Sequence, residues 1–509
     1  SPFKEGYPKL STYNLNRNLG IMKASLRSSA VSGMLWTAME RFGHQFLRLI
    51  IGIIIARILE PSMFGIVGMT VIFTDLAQSI LDSGFGSALI QKKDRNEVDY
   101  STCFYFNVIV GLFLYVILFI AAPHIAVFYH TAELTDVIKV ISLGFVFNSL
   151  IISQNAKLSV ELKFKASSII NITSYLISGI IGIVLAYVGF GVWSLVFQQV
   201  SACLLRVLFV EIYTRWIPMF VFSRKSFHYL FNFGSKVLVS GFLFSIYNNL
   251  YTLVIGRVFT PTEVGHYNRA NQFADLPSST LISVVMKVAY PLMCKVQDDT
   301  NRLRRSYQKI LRLPIYIIHP ILVGLIVLAE PFIVLLIGEK WIFCVPLLQV
   351  LAFGYMFDPL TRVNLNILYV KGRTDLILKL DIVNRIIGLS ILFTTIPFGL
   401  WWLCFGRAFY GLIAYSVNCY YTGKFIQLGF WEQMKCIIPL LAKAWAMGLL
   451  CSIPMFLTSN YYYQFILGSF IGIISYIGIS ILTNDENYND LIEIVKSKRS
   501  IGMAEKTPK

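Results

Sequence analysis

IIIARILEPSMFGIVGMTVIFTDLAQSIL, residues 53–81, returns 200 positions later without a gap as LVIGRVFTPTEVGHYNRANQFADLPSSTL, residues 253–281. Nine of the 29 aligned positions are identical: Ile55/Ile255, Arg57/Arg257, Pro61/Pro261, Gly65/Gly265, Phe73/Phe273, Asp75/Asp275, Leu76/Leu276, Ser79/Ser279 and Leu81/Leu281. Shared Ile and Leu carry little weight between two apolar segments. Shared Arg, Pro, Gly and Asp in one register carry much more, because each has a positional reason. Each copy predicts the end of one apolar helix, a tight Pro/Gly turn and the start of the next. The chain therefore reads as two related halves.

Working outward, the 509 residues are 56% hydrophobic and 14% charged, with mean hydropathy +0.66. Soluble domains carry roughly 25% charge. Many apolar runs reach the roughly 20 residues that span hydrocarbon as helix, and barrel-type alternation is absent. The expectation is an all-α polytopic membrane protein of about 14 transmembrane helices. They fall near 31–57, 65–90, 102–122, 137–156, 169–187, 190–212, 230–257, 265–290, 309–329, 346–369, 377–397, 400–423, 437–457 and 463–482. The repeats begin at the first and seventh helices. Six is even, so the two six-helix lobes are parallel, with a pseudo-axis along the bilayer normal; the last two helices are additional.

This gives an N-terminal cytoplasmic segment 1–29, an N-lobe 30–212, a linker 213–228, a C-lobe 229–423, a helix pair 424–482 and a tail 483–509. Residues 1–25 contain no apolar signal-peptide core, and Met22, followed by Lys23 and Arg27, is a candidate natural start.

The formal net charge of +17 does not point to nucleic acid, because the cations sit in short segments between apolar runs. One set of loops carries Lys92, Lys93, Arg95, Lys163, Lys165, Arg215, Arg224, Lys225, Lys295, Arg302, Arg304, Arg305, Lys309, Lys371, Arg373, Lys424 and Lys435. The alternate set is nearly bare, with Lys139 and Lys340 the main exceptions. That asymmetry places the basic side and both termini in the cytoplasm. The eight cysteines show no metal spacing and read as free core residues. No loop is long enough to hold a catalytic domain, so the expectation is a non-enzyme that needs no cofactor.

The first helix stands out. Glu40, Arg41, His44 and Arg48 lie in an apolar span, with Arg41, His44 and Arg48 spaced i, i+3, i+7 on one face. An ionised residue at mid-span costs about 2.5–3.5 kcal/mol even on the lenient insertion scale, so such a stripe should line water or meet opposite charge. The second helix offers Asp75, Gln78 and Asp82 at the same spacing. In the second half, the seventh helix carries Ser245, Asn248, Asn249 and Thr252, and the eighth Asn268, Asn271, Gln272 and Asp275 beside Arg269. Asp381 and Arg385, at i, i+4, read as a local ion pair; Arg57 and Arg257 cap helix C-termini; the histidines read as incidental. The residues left to line a site are Glu40, Arg41, Arg48, Asp75, Asn248, Arg269, Gln272 and Asp275. Arginine's planar fork suits phosphate, so an anionic substrate is expected.

At this point the chain resembles the multidrug/oligosaccharidyl-lipid/polysaccharide exporter superfamily, and within it the polysaccharide transporter branch of Wzx-type flippases. The resemblance rests on IIIARILEPSMFGIVGM (53–69), LDSGFGSALIQKKD (81–94) and GHYNRANQFADLP (265–277). It implies two lobes in a V, working by alternating access in a bacterial cytoplasmic membrane. The implied cargo is an undecaprenyl-diphosphate-linked glycan bound for O-antigen, capsule, exopolysaccharide or a teichuronic-type polymer, with polysaccharide polymerase machinery as a partner. In related lipid II flippases, arginines of the first, second and eighth helices meet the diphosphate. The matching positions are Arg41, Arg48 and Arg269; the second helix departs, offering Asp75 and Asp82 and no arginine. The final helix pair fits a groove for the lipid tail. A coupling ion, H⁺ or Na⁺, is implied, and a Na⁺ site would use Asn248, Asp381 and Asn384. Open alternatives are a cation-coupled multidrug exporter of the same fold, a membrane-embedded polymerase or acyltransferase, and a non-transporting scaffold.

Overall fold

A computed structural model describes residues 36–37, 39–81, 84–490 and 492–493. The first 35 residues (Met22 among them), Asp82 and most of the tail beyond Asp490 lie outside the described residues, as do some side chains within 233–248, including that of Asn248. All the regular structure described is helical. The chain divides into two compact units, one of Ser1–Leu59 and Ile66–Leu253, the other of Glu60–Gly65 and Val254–Lys509.

The first unit contains α1 (39–58), α2 (Pro61–Leu81, from Ile66 onward), α3 (Phe85–Gln91), α4 (Glu97–Phe128), α5 (Leu134–Ile141), α6 (Leu143–Val160), α7 (Phe164–Val188), α8 (Val192–Thr214) and most of α9 (Arg224–Val258). The start of α4 is fixed by a capping box. Asn96 Oδ1 accepts from the Asp99 N–H and Asp99 Oδ2 from the Asn96 N–H, each at 3.0 Å. The fully buried Asp99 carboxylate is neutralised by Lys92 at 2.7 Å. The end of α7 falls at Gly189, whose φ of 93° costs a residue without Cβ little. Helix α7 packs along α8, and α4 along α6, which also meets α8.

The second unit contains α10 (Pro261–Lys295), α11 (Thr300–Val327), α12 (Ala329–Ile337), α13 (Cys344–Tyr355), α14 (Asp358–Val370), α15 (Thr374–Thr395), α16 (Leu400–Ile426), α17 (Phe430–Cys451), α18 (Ile453–Leu457) and α19 (Tyr461–Leu482). Helix α13 packs on α10 and α16, while α17 bridges α11 and α19. Past α19 the chain is strapped back: Lys443 of α17 pairs with buried Asp485, and Arg312 and Lys309 of α11 reach Glu486 at 2.9 Å and Asp490 at 3.4 Å.

The repeated turn explains itself here. Glu60–Gly65 packs within the second unit, against the equivalent turn at Pro261. A Cβ on Gly65 would stand 1.7 Å from the Pro261 carbonyl oxygen, and one on Gly265 would stand 2.0 Å from the Pro61 carbonyl oxygen. The approach is reciprocal, and only glycine permits it on either side. Around it, Phe64 meets the buried Trp341 edge-on at 5.4 Å.

Ten helical stretches among the described residues are long and apolar enough to cross a membrane. Helices α1, α9, α15 and α16 are not among them. They include the strongly polar helices, with Glu40, Arg41 and Arg48 in α1 and Lys379, Asp381 and Arg385 in α15.

Several stretches expected as continuous helices are broken. The 346–369 stretch is cut between Tyr355 and Asp358. Pro359 lacks an N–H and its ring crowds the carbonyl four residues back, which periodicity alone does not register. The 437–457 stretch breaks before Pro454 for the same reason. The 137–156 stretch bends at Ser142, whose Oγ donates back to the Lys139 carbonyl at 3.0 Å. In the 65–90 stretch, residues 82–83 lie outside the described residues, and α3 follows Gly84, at φ 76°.

Candidate functional site

In the first unit, α1 is held to α7 through its acid. Glu40 accepts from Asn171 Nδ2 at 2.5 Å and from Ser168 Oγ at 2.9 Å, and one turn on, the His44 ring lies 4.3 Å from that of Tyr175. Ser168, Asn171 and Tyr175 repeat the i, i+3, i+7 spacing of the α1 stripe, so two polar stripes face each other. Arg48, Glu40 and Arg206 all act on His44 electrostatically. Arg41 and Arg48 are exposed, and neither is hydrogen-bonded or ion-paired to another described residue. Glu40 directs its acceptor capacity to α7, and among the described residues no carboxylate is ion-paired to either guanidinium group.

In the same unit, exposed Asp75 accepts from buried Asn249 at 2.9 Å, and Gln78 from Asn148 at 3.1 Å. Gln154 donates to Glu211 at 2.5 Å. Asp82 and the Asn248 side chain, both singled out from sequence, lie outside the described residues.

In the second unit the expected residues fall into three places. Arg269 is buried, with its guanidinium 4.2 Å from the Phe64 ring centroid and Nη1 donating to Gln272 Oε1 at 2.8 Å. Asp275 lies within the electrostatic reach of Asp358, Arg362 and Arg407. Arg407 Nη2 donates to Tyr355 Oη at 2.9 Å, which donates to Asn271 Oδ1 at 2.9 Å, and Arg362 Nε donates to Asp358 at 2.7 Å. This charge-balanced cluster surrounds the break between α13 and α14, and His319, read as incidental from sequence, meets the Met356 carbonyl freed by that break at 2.8 Å. In the third place, buried Asn384 donates to Asn418 at 3.1 Å. Among the described residues no three His, Cys, Asp or Glu side chains converge as a metal-binding group.

Sequence reasoning missed Tyr355, Asp358 and Arg362. The signal was present as Gly354 and Asp358-Pro359 interrupting an apolar run, the mark of a discontinuous membrane helix at a site. It missed Ser168 and Asn171 because single hydroxyls and amides in an apolar helix carry no charge to draw attention.

The family model for polysaccharide biosynthesis proteins matches residues 54–346, more than half of the chain. The chain belongs to the polysaccharide biosynthesis protein family. Within the family it is 28% identical over 376 residues to the teichuronic acid biosynthesis protein TuaB of Bacillus subtilis (strain 168), covering 72% of this chain and 77% of that one. It is 27% identical over 344 residues to the succinoglycan biosynthesis transport protein ExoT of Rhizobium meliloti (strain 1021), covering 66% and 68%. Among solved structures, the inward closed conformation of the lipid II flippase MurJ superposes with a TM-score of 0.71 at 16% identity, over 91% of this chain and 100% of that one. At that identity the likeness speaks to the fold alone. This polysaccharide biosynthesis family member is thus an all-helical, multi-pass membrane protein with the fold of a known flippase.

Proposed function

We propose that this protein is a flippase that moves undecaprenyl-diphosphate-linked oligosaccharide repeat units across the cytoplasmic membrane for surface polysaccharide assembly. The observation that carries this reading is the pair Arg41 and Arg48, exposed and ion-paired to no acid among the described residues, on a helix whose own acid Glu40 is engaged by α7. Charge kept unpaired in a membrane helix is costly and functional by default, and a diphosphate supplies the matching oxygens. Family membership, the roles for which TuaB and ExoT are named, and the flippase fold support the same conclusion.

In this reading fourteen helices cross the bilayer. They form an N-lobe (30–212) and a C-lobe (229–423) joined by the linker 213–228, with the pair 424–482 beside the lipid tail and both termini in the cytoplasm. Arg41, Arg48 and Arg269 meet the diphosphate; Glu40, Asp75, Asn248, Gln272 and Asp275 position them or contact the glycan. The sugars enter water while the prenyl chain stays in lipid, and rocking of the lobes exposes the head group outward. An inside-negative potential favours outward movement of an anion by about 2.3 kcal/mol per charge per 100 mV. Proton or Na⁺ coupling, the latter through Asn248, Asp381 and Asn384, belongs to the same proposal, as does handover to polymerase machinery.

The test is the lipid-linked sugar pool of cells lacking the protein. Accumulation on the cytoplasmic leaflet, relieved by the intact chain, is expected. An unchanged pool accompanied by drug sensitivity would overturn the reading in favour of a multidrug exporter.

A further inference from the structure

Between α8 and α9 the chain reads RWIPMFVFS, residues 215–223. Most of its apolar side chains face away from the protein: Ile217 is 82% exposed and Phe220 96%, and Met219, Val221 and Phe222 are exposed too. This is not a loop lacking attachments. Buried Trp216 donates its indole N–H to Glu97 at 2.7 Å. The Met219 N–H donates to Ser101 Oγ at 2.9 Å, and the Ser223 N–H to Thr102 Oγ1 at 3.1 Å. The backbone is thus pinned to the start of α4 at three points, and the pinned segment displays a row of apolar side chains outward.

Two further facts identify what meets that row. First, α8 is one of the stretches able to cross a membrane, and it ends at Thr214, so the row begins where hydrocarbon gives way to headgroups. Second, the row is bracketed by exposed Arg215 on one side and exposed Arg224 and Lys225 on the other, and no Asp or Glu occurs between Glu211 and Glu263. Apolar side chains buried at the acyl boundary, with basic stems reaching to phosphates, are how interfacial segments hold an anionic leaflet. A soluble protein partner would require the same side chains to stand clear of the bilayer, which their place beside a span does not favour.

We infer that residues 215–225 form an anionic-lipid clasp. Ile217, Met219, Phe220 and Phe222 sit in the leaflet, and Arg215, Arg224 and Lys225 hold lipid phosphates. The inference stands whether or not the transported cargo is a lipid-linked glycan.

The experiment reconstitutes the full chain in nanodiscs of phosphatidylcholine, with and without phosphatidylglycerol. Hydroxyl-radical modification of Met219 and Phe220 is then read by mass spectrometry against the same peptide in the unfolded chain. The expected result is protection of about tenfold or more in phosphatidylglycerol discs. Protection should fall severalfold in pure phosphatidylcholine, and equally in the Arg215→Gln/Arg224→Gln/Lys225→Gln variant. Modification at the unfolded rate in both discs overturns the inference. So does protection indifferent to lipid charge and to the triple substitution. Protection that appears only when cytoplasmic extract is added overturns it in favour of a protein-docking surface.

Discussion

At the residue scale, Arg48 and Glu40 make opposite predictions from one helix. Arg48 is exposed and engages no described side chain by hydrogen bond or ion pair, so replacing it should leave folding intact. Arg48→Glu is expected to abolish polymer export at normal protein level. Arg48→Lys, which keeps the charge but loses the fork, should reduce export about tenfold, the worth of one charge-assisted hydrogen bond. Export assays normalised to membrane protein check both. Glu40 holds α1 to α7 through two hydrogen bonds, so Glu40→Ala should lower stability by about 1.5–3 kcal/mol, read as a drop in detergent-solubilised Tm. The α1 stripe was legible in the sequence because charge in an apolar run is conspicuous. Its α7 counterpart was not, because Ser168 and Asn171 become significant only once Glu40 is seen reaching them. Arg269 was legible as a residue, but its burial against Phe64, 205 positions earlier in the chain, follows from a tertiary contact that no local pattern encodes.

At the scale of elements, helix positions were readable from apolar run length, and the breaks were not. Periodicity reports which face is buried, whereas the cut before Asp358 depends on one proline ring and on His319 donating to the freed Met356 carbonyl. The glycine turns allow a direct test. Gly65→Ala and Gly265→Ala each force a carbon into the partner turn's carbonyl oxygen, so each should cost about 1–3 kcal/mol. Gly324→Ala in α11 meets nothing within 4 Å and should be neutral or slightly stabilising. Thermal unfolding of the three variants separates close approach from helix propensity.

The strap after α19 carries a pH signature. Burial, the largest influence on Asp485, raises its pKa, but hydrogen bonds from Lys443 and Asn487 and the Lys443 charge together outweigh it, and the carboxyl sits below its ordinary 3.8. A depressed carboxyl stabilises the strap above its unfolded pKa and loses that contribution as pH falls through the folded value. Protection of the Asn487 amide, bonded to Asp485 Oδ1 at 2.8 Å, should therefore hold at neutral pH and disappear in strong acid. Asp485→Asn should remove both the protection and its pH dependence in hydrogen exchange.

At the scale of the whole molecule, membrane class followed from composition, and the two-fold repeat followed from shared Arg, Pro, Gly and Asp. If the cargo is the proposed diphosphate-linked glycan, a deletion strain complemented by the intact chain should restore export in proportion to membrane potential, and dissipating the potential should slow it. A potential-independent rate would mean that compensating cation movement neutralises the cargo. The reciprocal turns also bear on origin. A contact in which Pro61 faces Gly265 while Pro261 faces Gly65 is self-complementary, so a half-length ancestor with a single such turn could have paired with its own twin through it. Fusing two genes would then have preserved a dimer seam already in use. A mutation spoiling either glycine cannot be rescued by its partner, because the space each missing side chain leaves open is filled by the opposite turn's proline carbonyl.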